Sequence, residues 1–134
     1  MTETYPYLKS AVASVCPSRS EAGGIINFAA QAAGTVPIGS NTGGIPEYIQ
    51  DKETGLLFAS EDVEDISRTM ERLIVDKPLR QKLVENGHKN IQQYKWTTIG
   101  DHLLDRYLSL KGSKRNHDFQ PWSNLTKKMW KLIK

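Results

Sequence analysis

Residues 16–58 read CPSRSEAGGIINFAAQAAGTVPIGSNTGGIPEYIQDKETGLLF. In order they give the end of a short apolar run, a carboxylate at Glu21, a Gly-Gly pair opening a helical pattern, a second apolar run and a second Gly-Gly loop. This order sets one acid and several backbone N–H groups at the carboxyl ends of two successive strands. Open α/β sheets bind their ligands at that edge. A Gly-Gly pair at a helix start suits a phosphate, because the first N–H groups lack intrahelical partners and the helix dipole is positive there.

Working outward, residues 11–16 (AVASVC) form a valine-rich apolar run closed by Pro17 and Ser18, which predicts a buried parallel strand. Residues 25–33 are alanine-rich and end at Gly34, a natural residue to close a helix. Residues 36–39 predict a second strand, 45–49 a helical turn, and 55–59 (GLLFA) a third strand. The pattern then turns helical. Ser60 is expected to cap a helix with Val63, Ile66, Met70, Leu73 and Ile74 on one face. Residues 76–78 break it. A second helix has Leu79, Leu83 and Ile91 on one stripe. A third covers 97–110, with Ile99, Leu103 and Tyr107 facing inward.

The fold class is therefore α/β: half of a Rossmann-like parallel sheet, about three short strands, followed by C-terminal helices. The expected domains are a lobe over 1–110, a polar linker over 111–121 and a basic amphipathic tail helix over 122–134. A sheet this small leaves the edge beside residues 11–16 open, which implies a partner chain or a homodimer covering it.

Composition narrows the function. The chain has 134 residues, 38% hydrophobic and 25% charged, which is one domain with a modest core. The net charge is +3, yet residues 112–134 hold six Lys or Arg and one acid, leaving −2 for the body. Trp122, Trp130 and the lysines of that tail suit an anionic membrane surface, or equally a helix packed back on the domain. A nucleic-acid partner would need a wider basic field, so none is expected. Cys16 is the sole cysteine, so there is no intrachain disulfide. That, with no apolar run of roughly 18 residues and no secretory pattern at the N-terminus, points to a cytoplasmic setting, with the tail allowing peripheral membrane contact. His88, His102 and His117 share no metal-ligand spacing, and no metal site is expected. There is neither GxxxxGK[ST] nor a full GxGxxG, which excludes the P-loop and dinucleotide patterns.

The motifs PSRSEAGG, QAAGTVPIGSNTGGIPEYI, ETGLLF, DKPLRQKL and YKWTTIGDHLL, in that order, resemble the C-terminal lobe of retaining nucleotide-sugar glycosyltransferases of the GT-B fold. This class includes the glycogen and starch synthases. The resemblance spans residues 7–110. It implies a donor-binding portion that moves a sugar from a nucleoside diphosphate sugar to a hydroxyl acceptor with retention, as part of carbohydrate biosynthesis, without a cofactor. By resemblance, Glu21 sits near the donor sugar as its ligand, and Gly24 and Ile25 present N–H groups to the diphosphate. Gly23 lets the backbone approach the anion. Thr42, Gly43 and Gly44 line the donor pocket. Ser18 either hydrogen-bonds a phosphate or caps a turn, and Glu47 reads as a cap or surface acid rather than a catalytic group.

Two departures stand out. Many members carry a second carboxylate eight residues after the first, on the ribose; here that position is Ala29. Some branches, the starch synthases among them, also lack it. The family's basic phosphate-binding pair and acceptor lobe would precede Met1. The alternative expectation is therefore a non-catalytic module that binds a nucleotide or a partner, with the tail at a membrane surface.

Overall fold

A computed structural model describes residues 3–111. The expected tail helix and nearly all of the linker lie outside the described residues. Contacts divide the chain into two compact units, Met1–Ile99 and Gly100–Lys134. The first holds the sheet. It runs α1 (Tyr5–Ser10), β1 (Ala13–Cys16), α2 (Ile25–Ala33), β2 (Val36–Ser40), α3 (Ile45–Tyr48), β3 (Leu56–Phe58), α4 (Val63–Val75) and α5 (Lys77–Ile91). A 3-10 turn over Gln92–Tyr94 leads to α6 (Trp96–Lys111), which continues into the second unit.

The sheet is parallel, in the order β1-β2-β3. Ala13 pairs with Val36 and Cys16 with Gly39; Ile38 pairs with Leu56 and Ser40 with Phe58. The strands are short and apolar because both faces are covered. On one face Val36, Ile38, Leu56 and Phe58 pack with Leu73 of α4 and Leu83 of α5. On the other, Cys16 packs with Ile45 and Ile49 around α3. Gly39 makes that second contact close: a Cβ there would sit 2.6 Å from Ile45 Cγ2. The Thr35 hydroxyl donates to the Leu8 carbonyl and ties α1 to the start of β2.

The two sheet edges differ. On β3, the outward N–H of Leu57 donates to Asp51 Oδ1 at 2.9 Å, and Ala59 N–H donates to Asp65 Oδ2 at 2.7 Å. Two carboxylates thus close that edge to further pairing. The outer edge of β1 has no such partner among the described residues.

The helical half corrects several expectations. Asp62, not Ser60, caps α4: its Oδ1 accepts from Asp65 N–H at 2.8 Å. The buried stripe of α4 is narrow. Leu73 is buried and Ile66 half-buried, while Val63 and Ile74 are 74% and 62% exposed and Met70 is also exposed. The break at 76–78 is a shared cap: Asp76 ends α4, and its side chain accepts from Leu79 N–H at 2.9 Å to start α5. Arg80 Nη1 reaches back to the Leu73 and Ile74 carbonyls, satisfying the end of α4. In α6, Ile99 is half-buried, while Leu103 and Tyr107 are 52% and 45% exposed.

Candidate functional site: the loops at the strand ends

The loop after β1, residues 17–24, carries the sequence EAGG. It turns back on itself. Glu21 Oε1 accepts the N–H of Gly23 at 3.2 Å and of Gly24 at 3.0 Å. Gly24 is left-handed, with φ of 54°, which is why a glycine opens α2 there. The Gly24 and Gly23 amides hold the Glu21 carboxyl below its ordinary value, with only partial opposition from desolvation. Glu21 is therefore a fixed, ionised acceptor. The Ala22 amide adds a smaller pull in the same direction.

This changes which amides are open. The sequence pointed to the N–H groups of Gly24 and Ile25. Gly24 is engaged by Glu21, while Ile25 and Ile26, the first two helical residues of α2, donate to nothing among the described residues. Asn27 N–H bonds to the Gly24 carbonyl at 2.8 Å. Two free amides at the positive end of a nine-residue helix stand beside an ionised carboxylate. Ile25 and Ile26 also line an apolar cavity of about 150 Å³, together with Thr4, Tyr5, Leu8 and Ala29.

The second Gly-Gly loop supports the first. Gly44 N–H donates to the Glu21 carbonyl at 2.8 Å, Ser40 Oγ to the Ser18 carbonyl at 2.6 Å, and Thr42 Oγ1 to the Arg19 carbonyl at 3.3 Å. A Cβ on Gly43 would lie 2.1 Å from the Glu21 carbonyl oxygen, and one on Gly44 2.2 Å from that of Ala22. These glycines let two backbones touch. Arg19 pairs with Glu61 at 2.9 Å, joining the loop after β3 to the same turn. The Ser18 hydroxyl lies 3.5 Å from Cys16 Sγ. Glu47 is exposed in the first turn of α3.

Two supporting groups carried no signal in isolation. Gln31 is 2% exposed; its Nε2 donates to the Tyr48 carbonyl at 2.9 Å and its Oε1 accepts from Asn90 at 2.9 Å. Tyr48 packs on Phe28 with ring centroids 4.4 Å apart, and Tyr94 meets Phe28 edge-on at 4.5 Å. A Cβ on Gly23 would lie 3.9 Å from the Tyr48 hydroxyl, so this aromatic group backs the glycine turn. Among the described residues, no cluster of His, Cys, Asp or Glu could hold a metal ion. No described helix is long and apolar enough to cross a membrane.

Residues 1–90 match the family described as glycosyl transferases group 1. The chain belongs to this family. It is 32% identical over 91 residues to the D-inositol 3-phosphate glycosyltransferase of Saccharomonospora viridis, covering 68% of this chain and 21% of that protein. The structure superposes on sucrose-phosphate synthase from Thermosynechococcus elongatus with a TM-score of 0.73 at 27% identity, over 84% of this chain and 28% of that one. HepE of Anabaena, solved in complex with UDP, shares the fold with a TM-score of 0.71 at 17% identity, over 78% and 29%. The group 1 member described here thus spans 21% to 29% of these three relatives and has the α/β architecture of the GT-B glycosyltransferases.

Proposed function

We propose that this chain is the donor-binding part of a retaining glycosyltransferase that uses a nucleoside diphosphate sugar. One observation carries the reading: free Ile25 and Ile26 amides at the α2 N-terminus beside the ionised Glu21. In this reading the diphosphate lies over those amides, which stabilise charge developing on it as the sugar leaves. Glu21 Oε2 accepts hydrogen bonds from the donor sugar. The nucleoside enters the cavity beside Ala29, whose apolar lining suits a flat base. With Ala29 at that wall, no carboxylate from this position reaches the ribose. The UDP complex of HepE supports a nucleotide of this class.

A further strand beside β1 belongs to the same reading, since only the β3 edge is closed by aspartates among the described residues. A size-exclusion run that gives a strict monomer with a stable fold would argue against that strand coming from a second molecule.

The test is calorimetry of the chain with UDP, ADP and GDP. Saturable heat with at least one of them is expected. No heat with all three overturns the proposal.

A further inference from the structure

Asn27 is fully buried, yet neither its Nδ2 nor its Oδ1 has a hydrogen-bond partner among the described residues. Buried side-chain amides are normally paired, and leaving both ends unpaired raises the energy of the fold. The amide is not lost in a remote core. Its Nδ2 lies 2.5 Å from where a Cβ on Gly24 would stand, and Ile45 Cγ1 is 3.6 Å from the same point. Asn27 therefore fills the space beneath Gly24, between the glycine turn and the start of α3. Gly24 has Glu21 Oε1 on its N–H and the Asn27 amide against its Cα.

We propose that Asn27 is a positioning residue that holds the Gly23-Gly24 turn in shape when an anion occupies the α2 N-terminus. This rests on the reading of that terminus as a diphosphate site. A diphosphate on the Ile25 and Ile26 amides pulls on the turn just before them, while Glu21 Oε1 keeps the Gly23 and Gly24 N–H groups. Asn27 Nδ2, the donor lying directly beneath Gly24, then bonds a carbonyl oxygen of the turn and keeps Gly24 left-handed. That pairing removes the cost of leaving the buried amide without partners.

Asn27→Leu separates this role from a merely structural one. The leucine removes the unpaired polar group at similar volume. Thermal unfolding of the unliganded chain should show a higher Tm, while UDP affinity by calorimetry falls about tenfold or more. A Tm that falls, or an affinity equal to the wild type, overturns the role of Asn27. If the leucine variant does not fold, Asn27→Ala is titrated at a temperature where its circular dichroism matches the wild type; unchanged affinity again overturns it. Wild-type chain that binds no UDP removes the diphosphate reading itself, and this role with it.

Discussion

The Gly44 N–H donates to the Glu21 carbonyl at 2.8 Å, so the two glycine loops are joined through their backbones. A methyl group on Gly43 or Gly44 would drive them apart. Gly44→Ala places a carbon 2.2 Å from the Ala22 carbonyl oxygen, and Gly43→Ala one 2.1 Å from that of Glu21, at a φ of 52° that also disfavours alanine. Each change is expected to cost about 1–3 kcal/mol by overpacking and to weaken nucleotide binding. Chemical denaturation and a UDP titration of each variant check this. Wild-type stability in both would mean that the loops do not touch.

Gln31 links α2 to α3 and α5 through its two amide hydrogen bonds. Gln31→Leu keeps the volume but strands the Tyr48 carbonyl and the Asn90 amide. The expected loss is about 1–3 kcal/mol, or a fall in Tm of roughly 5–15 °C. Thermal unfolding by circular dichroism reads it. An unchanged Tm would place the support of α3 elsewhere, in the Phe28–Tyr48 contact.

Glu21 and Asp65 give the protein an acid-sensitive limb. The carboxyl of Glu21 is lowered chiefly by the Gly24 and Gly23 amides, and that of Asp65 chiefly by the Ala59 amide. In acid the unfolded chain binds these protons before the folded one does, so stability rises with pH across that window. The contribution is full above the ordinary carboxylate range, about pH 4–5, and is lost as pH falls through the lowered folded values. A Glu21→Gln/Asp65→Asn double variant should melt below the wild type at neutral pH and converge with it in acid. Parallel Tm curves at all pH values would deny the two carboxylates this role.

On the proposed function, Glu21→Ala should abolish sugar transfer while the fold persists, because the partly exposed side chain bonds only to its own turn. Transfer assays paired with thermal melts decide it. Intact turnover with a large loss of stability would make Glu21 purely structural.

The sheet half of this fold was readable because punctuation and periodicity agreed. Gly24 and Gly34 bracket a helix over Ile25–Ala33, both glycines are left-handed, and the predicted span is the observed one. The helical half was less readable. Ser60 and Asp62 both offer a capping oxygen, and the choice of Asp62 depends on Asp65 reaching back to Ala59 at the end of β3. No local pattern encodes that contact. Likewise Val63, Met70 and Ile74 match helical spacing, but α4 presents only a thin stripe to β3 and α5.

At the site, the sequence named Glu21 and the glycines but left their amides bare. A carboxylate two and three residues before a pair of flexible amides can fold onto them, as polar side chains commonly do in turns. That local geometry was available in EAGG. The unpaired state of Asn27 was not, because it arises only where Gly24, Ile45 and α2 meet.

The amide resonances of Ile25 and Ile26, followed by NMR as UDP is added to the chain, report directly on an anion at the α2 N-terminus. They should shift together and saturate, with the adjoining Gly23 and Gly24 amides following. If those four amides stay fixed at saturating UDP, or if the shifts fall only at β3 and α4, the diphosphate does not sit over α2.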